Sequence, residues 1–294
     1  QSRSFTVTSP KVLSMLLSRL VLVLWCAICA SVATGHEFWI EPSAYQVRKD
    51  EKMSAHLKNG QGFEGINLAF FNRNIARFDV IVGDKVTPVV GRMGDSPALD
   101  ITAQVDGLAV IVHETTPSFV TYKSWDKFAA FAEHKYFPDI KARHDALGFG
   151  PAPFKERYTR HAKTLIAVGT GAGSDRAIGL ETEFVALTNP YAPTFMGTMK
   201  VQLLDRGLPR IDAQVEVFDR ATDGTVTINL YRTNEKGIAE VPVTHGHSYL
   251  FDGVVLRPIT DGQDAIWDTF WASLTFAVIS NNFHHEQGVR AGLS

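Results

Sequence analysis

The chain has 294 residues, 45% of them apolar and 20% charged, with a formal net charge of −2. That composition belongs to a folded chain of one large or two modest domains. Near-balanced charge leaves no basic surplus to bind nucleic acid, and there is no acidic tail.

The first element is apolar. Residues 20–33, LVLVLWCAICASVA, form a run too short to span a bilayer comfortably. Arg19 precedes it, small residues close it, and Met15 is the natural start, so the segment reads as a secretory signal. An uncleaved membrane anchor is the alternative, which the short run disfavours. Cleavage after Ala33 would leave Thr34 first, and cleavage after Gly35 would leave His36 first; both satisfy the small-residue rule, and spacing leans to Gly35. Cys26 and Cys29 leave with the signal, as do Arg3, Lys11 and Arg19. The expected mature chain is periplasmic, free of disulfides, more acidic, and held by its own core.

Two-residue alternation then dominates. KMSAHLK (52–58) places Met53, Ala55 and Leu57 on one face. Further strands are expected at 76–83, 107–114 and 117–123, bounded by Gly, Pro and Asp. WDKFAAFAEHKYF (125–137) brings Phe128, Phe131 and Ala132 to helical spacing, and 137–153 reads as a short helix or loop. Strands resume at 157–169 and 180–190, with the glycine-rich GTGAGSDRAIG (169–179) expected as a hairpin connection. NPYAPTF (189–195) carries two prolines and marks the expected domain boundary. Short, evenly punctuated strands follow at 198–207, 213–220, 224–233, 237–243, 248–258 and 270–279.

The expected fold is therefore all-β: two β-sandwich domains, residues 36–190 and 191–280, with one short helical insertion in the first. The second domain is expected to be immunoglobulin-like or transthyretin-like. Residues 281–294 have no core pattern and read as a mobile tail. Trp267, Phe270 and Trp271 are expected in packing, and Asp175 and Glu183 as surface acids.

Histidines carry the candidate chemistry. If His36 is the N-terminus, its amine and ring Nδ1 chelate one ion together, and a further imidazole completes a three-nitrogen site suited to copper or nickel. The amine pKa of about 8 makes that nitrogen available near neutral pH. His245 and His247, in THGHSY, lie two apart and would share one side of an extended strand. His113 follows an apolar strand, where a solvated position is the ordinary expectation, and His56 lies on the polar face of another. His134 and Lys135 close the helix, where cations suit the dipole. His284 and His285 sit in the tail. The candidate metal ligands are thus His36, His245, His247 and His113. No G-x-S-x-G, H-E-x-x-H or P-loop pattern occurs, and a mature chain without Cys excludes thiol catalysis.

Four stretches recur together in one bacterial family: HEFWIEPS (36–43), ERYTRHAKTLI (156–166), LETEFVALTNPY (180–191) and WASLTF (271–276). The chain resembles that exported family of domains of unknown function, which carries the description nickel-uptake substrate-specific component. The resemblance implies a histidine at the signal exit, a nickel or cobalt ion, and a membrane metal transporter as partner. One position departs: where the transporter-linked branch has His-Pro-Phe-Glu-Gly, this chain has Gln61, Gly62, Phe63, Glu64 and Gly65. The reading is a periplasmic metal-binding accessory without turnover. A copper oxidoreductase and a non-catalytic exported scaffold are the alternatives.

Processing is directly measurable. Intact mass of the exported protein is expected to begin at His36. A mass that includes residues before Thr34 would reject both cleavage sites.

Overall fold

The computed structural model describes residues 35–259 and 264–279, which belong to one compact unit. The expected signal segment up to Thr34 and the tail from 281 lie outside the described residues. The first strands are β1 (Glu37–Pro42), β2 (Gln46–Val47), β3 (Lys52–Gln61), β4 (Glu64–Leu68), β5 (Ile75–Val82) and β6 (Lys85–Pro88). Then come β7 (Leu99–Thr102), β8 (Gly107–Thr115), β9 (Ser118–Tyr122), helices α1 (Trp125–His134) and α2 (Ile140–Ala146), and the long strand β10 (Phe154–Val168). The remainder is β11 (Thr182–Ala186), β12 (Thr198–Asp205), β13 (Leu208–Pro209), β14 (Gln214–Arg220), β15 (Val226–Arg232) and β16 (Ile238–Pro242). Strands β17 (Ser248–Pro258) and β18 (Trp267–Ala277) complete it. The fold is all-β and sandwich-like with a small helical insertion. Among the described residues, no helix is long and apolar enough to cross a membrane.

A ten-stranded sheet lies at the centre, in the order β15-β14-β17-β18-β10-β8-β5-β6, with β2 and β9 also paired to β10. One four-stranded sheet (β1, β3, β4, β7) packs on one face, and another (β11, β12, β13, β16) on the other. Alternation sorts the side chains. In β10, Leu165 and Ala167 join the core against β11 and β12, whereas Ala162, Ile166 and Val168 join the core against β1 and β3. The helices cover the same face further along, where Phe128, Phe131 and Ala132 meet Trp267, Trp271 and Val254.

Three expectations are corrected. Residues 189–194 form the turn between β11 and β12, adjacent strands of one sheet, and a single core holds residues from both sides of that turn. The turn is tied to β10: Tyr191 donates its hydroxyl hydrogen to the Leu165 carbonyl at 2.7 Å. The glycine-rich 169–179 stretch is a crossing from the central sheet to another sheet, since β10 and β11 do not share a ladder. A buried ion cluster holds it there. Lys163 Nζ lies 2.7 Å from Asp175 and 3.5 Å from Glu183, all with side chains about 1% exposed. Asp175 also accepts from the Ala186 amide at 2.8 Å, and Glu183 accepts from the amides of Ile178 and Gly179. These acids, expected on the surface, are structural because the loop folds them inward onto a cation. A second buried lysine, Lys135 beyond the end of α1, pairs with Glu37, Glu216 and Asp252 and so pins the helices to the sheet.

Removing a cation from such a cluster strands two buried charges, at a cost of about 3–5 kcal/mol. Lys163→Met is therefore expected to lower denaturant stability by that order. Lys200→Met, which breaks an exposed pair with Glu240 at 2.9 Å, is expected to cost no more than about 1 kcal/mol. Equal small losses for both would contradict the structural role of the cluster.

Candidate functional site

The site arises where a ladder is interrupted. Along one edge of β10, β9 pairs with residues 154–158 and β8 with residues 165–168. In the interval the Arg160 amide donates to the Thr115 hydroxyl at 3.0 Å. A cavity of about 410 Å³ opens there, between the β1-β3-β4 sheet and the central one. Phe38, Leu57, Leu68, Phe71 and Ile75 make its apolar wall. Its polar groups are His36, His113, Tyr158 and Arg160, with Asn59, Asn74 and hydroxyls of the 115–118 turn.

His113 is placed by the strand period. Ala109 and Ile111 of β8 face the core against β1 and β3, and His113 continues that row. Its ring sits 5.2 Å from that of Phe38 and 5.1 Å from that of Phe78. The residue is 2% exposed, and neither ring nitrogen has a hydrogen-bond partner. Burial pushes its pKa down to about 3, so the ring is neutral at physiological pH. Leaving such a group unpartnered costs about 1–3 kcal/mol. The solvated position expected for His113 is corrected: the apolar strand continues through it.

His36 lies just before β1 and is exposed, and it lines the same cavity. Its carbonyl oxygen accepts from Arg160 Nη1. The Arg160 guanidinium stands 4.8 Å from the Trp271 ring centre and 5.2 Å from that of Tyr158. Burial lowers the Arg160 pKa from its usual value, while Tyr158, Asp252, Glu37 and Glu156 act in the other direction. Glu37, next in sequence to His36, points away into the Lys135 cluster. Burial and then the Asp252 carboxylate hold the Glu37 carboxyl well above the usual range.

The other candidates are elsewhere. His245 is exposed on a turn whose Gly246 has φ +84°, so the pair does not lie on an extended strand. His247 is engaged with Asp219, Nδ1 to Oδ1 2.6 Å, and lies alongside Tyr249. Neither lines the cavity. The Gln61–Glu64 end of the β3-β4 hairpin also lies outside it; Phe63 there packs edge-on to Trp39 and under Arg220. His144 is structural, accepting from Trp267 Nε1 at 3.0 Å. Among the described residues, no three His, Cys, Asp or Glu side chains gather as a metal cage. The cavity thus offers two imidazoles, suited in donor type to nickel, cobalt or copper, but short of a full coordination set. Sequence reasoning passed over Tyr158 and Arg160, although both lie two apart in a quoted motif and alternate with buried positions.

The profile described as Domain of unknown function (DUF4198) matches residues 33–255, and the chain belongs to that family. No curated protein matches. Among solved structures, a tetra-tandem repeat from the extending region of a large adhesion protein is 8% identical, with 83% of this chain and 50% of that one covered and a TM-score of 0.21. Salmonella alpha-2-macroglobulin reacted with methylamine is 10% identical, with 84% and 15% covered and a TM-score of 0.22. The chain spans half or less of either, and at these scores neither likeness carries an argument about fold or function.

His113 has a testable signature. Replacing an unpartnered buried imidazole with an apolar ring removes a desolvation cost, so His113→Phe is expected to stabilise the metal-free protein by about 1 kcal/mol. Chemical denaturation in the presence of a chelator measures this. A loss of stability would show that the ring nitrogens have partners in the folded chain.

Proposed function

We propose that the cavity binds a transition-metal ion (nickel, cobalt or copper) through the imidazoles of His36 and His113. The observation that carries this reading is His113: a neutral imidazole, buried between aromatic rings, with neither nitrogen partnered, in a residue that lines the cavity. A metal ligand must be deprotonated, and burial keeps this one so across the physiological range. His36 lines the same cavity and brings a second nitrogen. If export leaves His36 first, its amine adds a third. The metal is cargo in this reading, and the chain is an exported, periplasmic accessory that presents it to a membrane transporter. The resemblance to nickel-uptake components supports that context.

A copper oxidoreductase is the competing reading, because His36 Nδ1, its amine and His113 would supply the three nitrogens of a copper site. Oxygen consumption by copper-loaded protein separates the two.

Calorimetry with nickel and copper tests the site. His36→Ala and His113→Ala are each expected to weaken binding at least tenfold, about 1.4 kcal/mol. His245→Ala and His247→Ala, outside the cavity, are expected to change it less than twofold. Extending the chain by Gly35 turns the amine into an amide and is expected to cost tenfold as well. Binding that survives His113→Ala would overturn the assignment.

A further inference from the structure

The cavity has more room than an ion needs. Its volume is about 410 Å³, whereas an ion with four waters takes on the order of 120 Å³, at about 30 Å³ per water. A volume of several hundred Å³ is that of a small-molecule site. The wall is also one-sided in charge. Arg160 lines it, and no Asp or Glu does. Arg160 forms no ion pair among the described residues; its Nη1 serves the His36 carbonyl, and its guanidinium lies over the Tyr158 and Trp271 rings. Asp252, Glu37 and Glu156 are near enough to act on it through space without pairing. A guanidinium fixed in a part-buried, acid-free cavity is built to meet a carboxylate. Finally, the two imidazoles are too few to complete a metal's coordination sphere.

Resting on the metal reading of the same cavity, we propose that the ion enters as a complex with a small organic carboxylate. Arg160 pairs with the carboxylate, and the complex brings the donors that the protein lacks. His113 and His36 hold the metal from the deep and outer sides of the cavity wall. The apolar residues Leu57, Leu68 and Ile75 cover the carbon skeleton. No bond of the carboxylate is made or broken; it is carried with its metal.

The test uses the exported protein with three probes: nickel chloride, radiolabelled citrate, and their preformed one-to-one complex. Equilibrium dialysis is expected to retain nickel and citrate together in equal amounts, and to retain citrate at least tenfold less without nickel. Arg160→Gln is expected to weaken the complex at least tenfold more than it weakens bare nickel, and Arg160→Lys to recover part of that difference. Nickel with diethylenetriamine, a chelate without a carboxylate, is expected to bind no better than nickel alone. Retention of nickel with loss of the citrate label would overturn the chelate while leaving the metal reading standing. Retention of neither form of nickel would overturn the metal reading itself. Citrate held equally with and without nickel would overturn the chelate, since the carboxylate would then bind independently of the metal.

Discussion

The two-residue period of β10 is the constraint on which the rest of the structure depends. This strand borders β18 on one edge and β8 and β9 on the other, and both of its faces are covered. One set of alternate residues looks to β11 and β12, and the other to β1, β3, the cavity and the helices. A slip of one residue would drive Lys163 out of its ion cluster and send Arg160 into the opposite core. Register is strongly specified wherever both faces are buried, because every side chain changes face together.

Buried polar groups divide by whether they are satisfied. Lys163 and Lys135 are each enclosed with carboxylates; Asp175 and Glu183 also accept from amides, whereas Glu37 and Asp252 each keep one oxygen without a partner. Such clusters offset their desolvation cost, and they tie loop 169–179 and helix α1 to the sheets. His113 is different. Its ring takes the full desolvation cost with nothing in return from the protein, although the surrounding residues are apolar and an aromatic ring would fit among them. Stability alone favours replacing it.

The cavity itself follows from the ladder. Strand β8 leaves β10 beyond Val110 and stays with β5, while the chain turns back as β9 to rejoin β10 at its start. The uncovered interval admits side chains from both sheets, with β1 and β3 as the lid. His36 at the start of β1 and Arg160 in β10 are joined there by a carbonyl–guanidinium contact. A guanidinium is thereby placed at a cavity that two histidines also line and that no Asp or Glu lines. The proposed metal and carboxylate roles both rest on that placement.

Local pattern was enough for much of this protein. Alternation in 52–58 identified the buried face of β3, and the spacing of Phe128, Phe131 and Ala132 identified the buried face of α1, because each depends only on the period of its own element. The succession of strands after residue 198 followed from their turn residues. His36, His113, His245 and His247 were all visible as candidate ligands, and only His245 and His247 lay close in sequence. The tertiary structure lines one cavity with His36 and His113 and leaves His245 and His247 outside it. Gly246 takes a left-handed conformation that breaks the assumed strand, and Asp219 comes from a distant strand to engage His247. Likewise, Asp175 and Glu183 read as surface acids until Lys163 of β10 met them, and 169–179 read as a hairpin until its ends fell in different sheets. Periodicity reports which face of an element is buried. What that face meets is set by chain crossings tens of residues apart, and these leave no trace in local spacing.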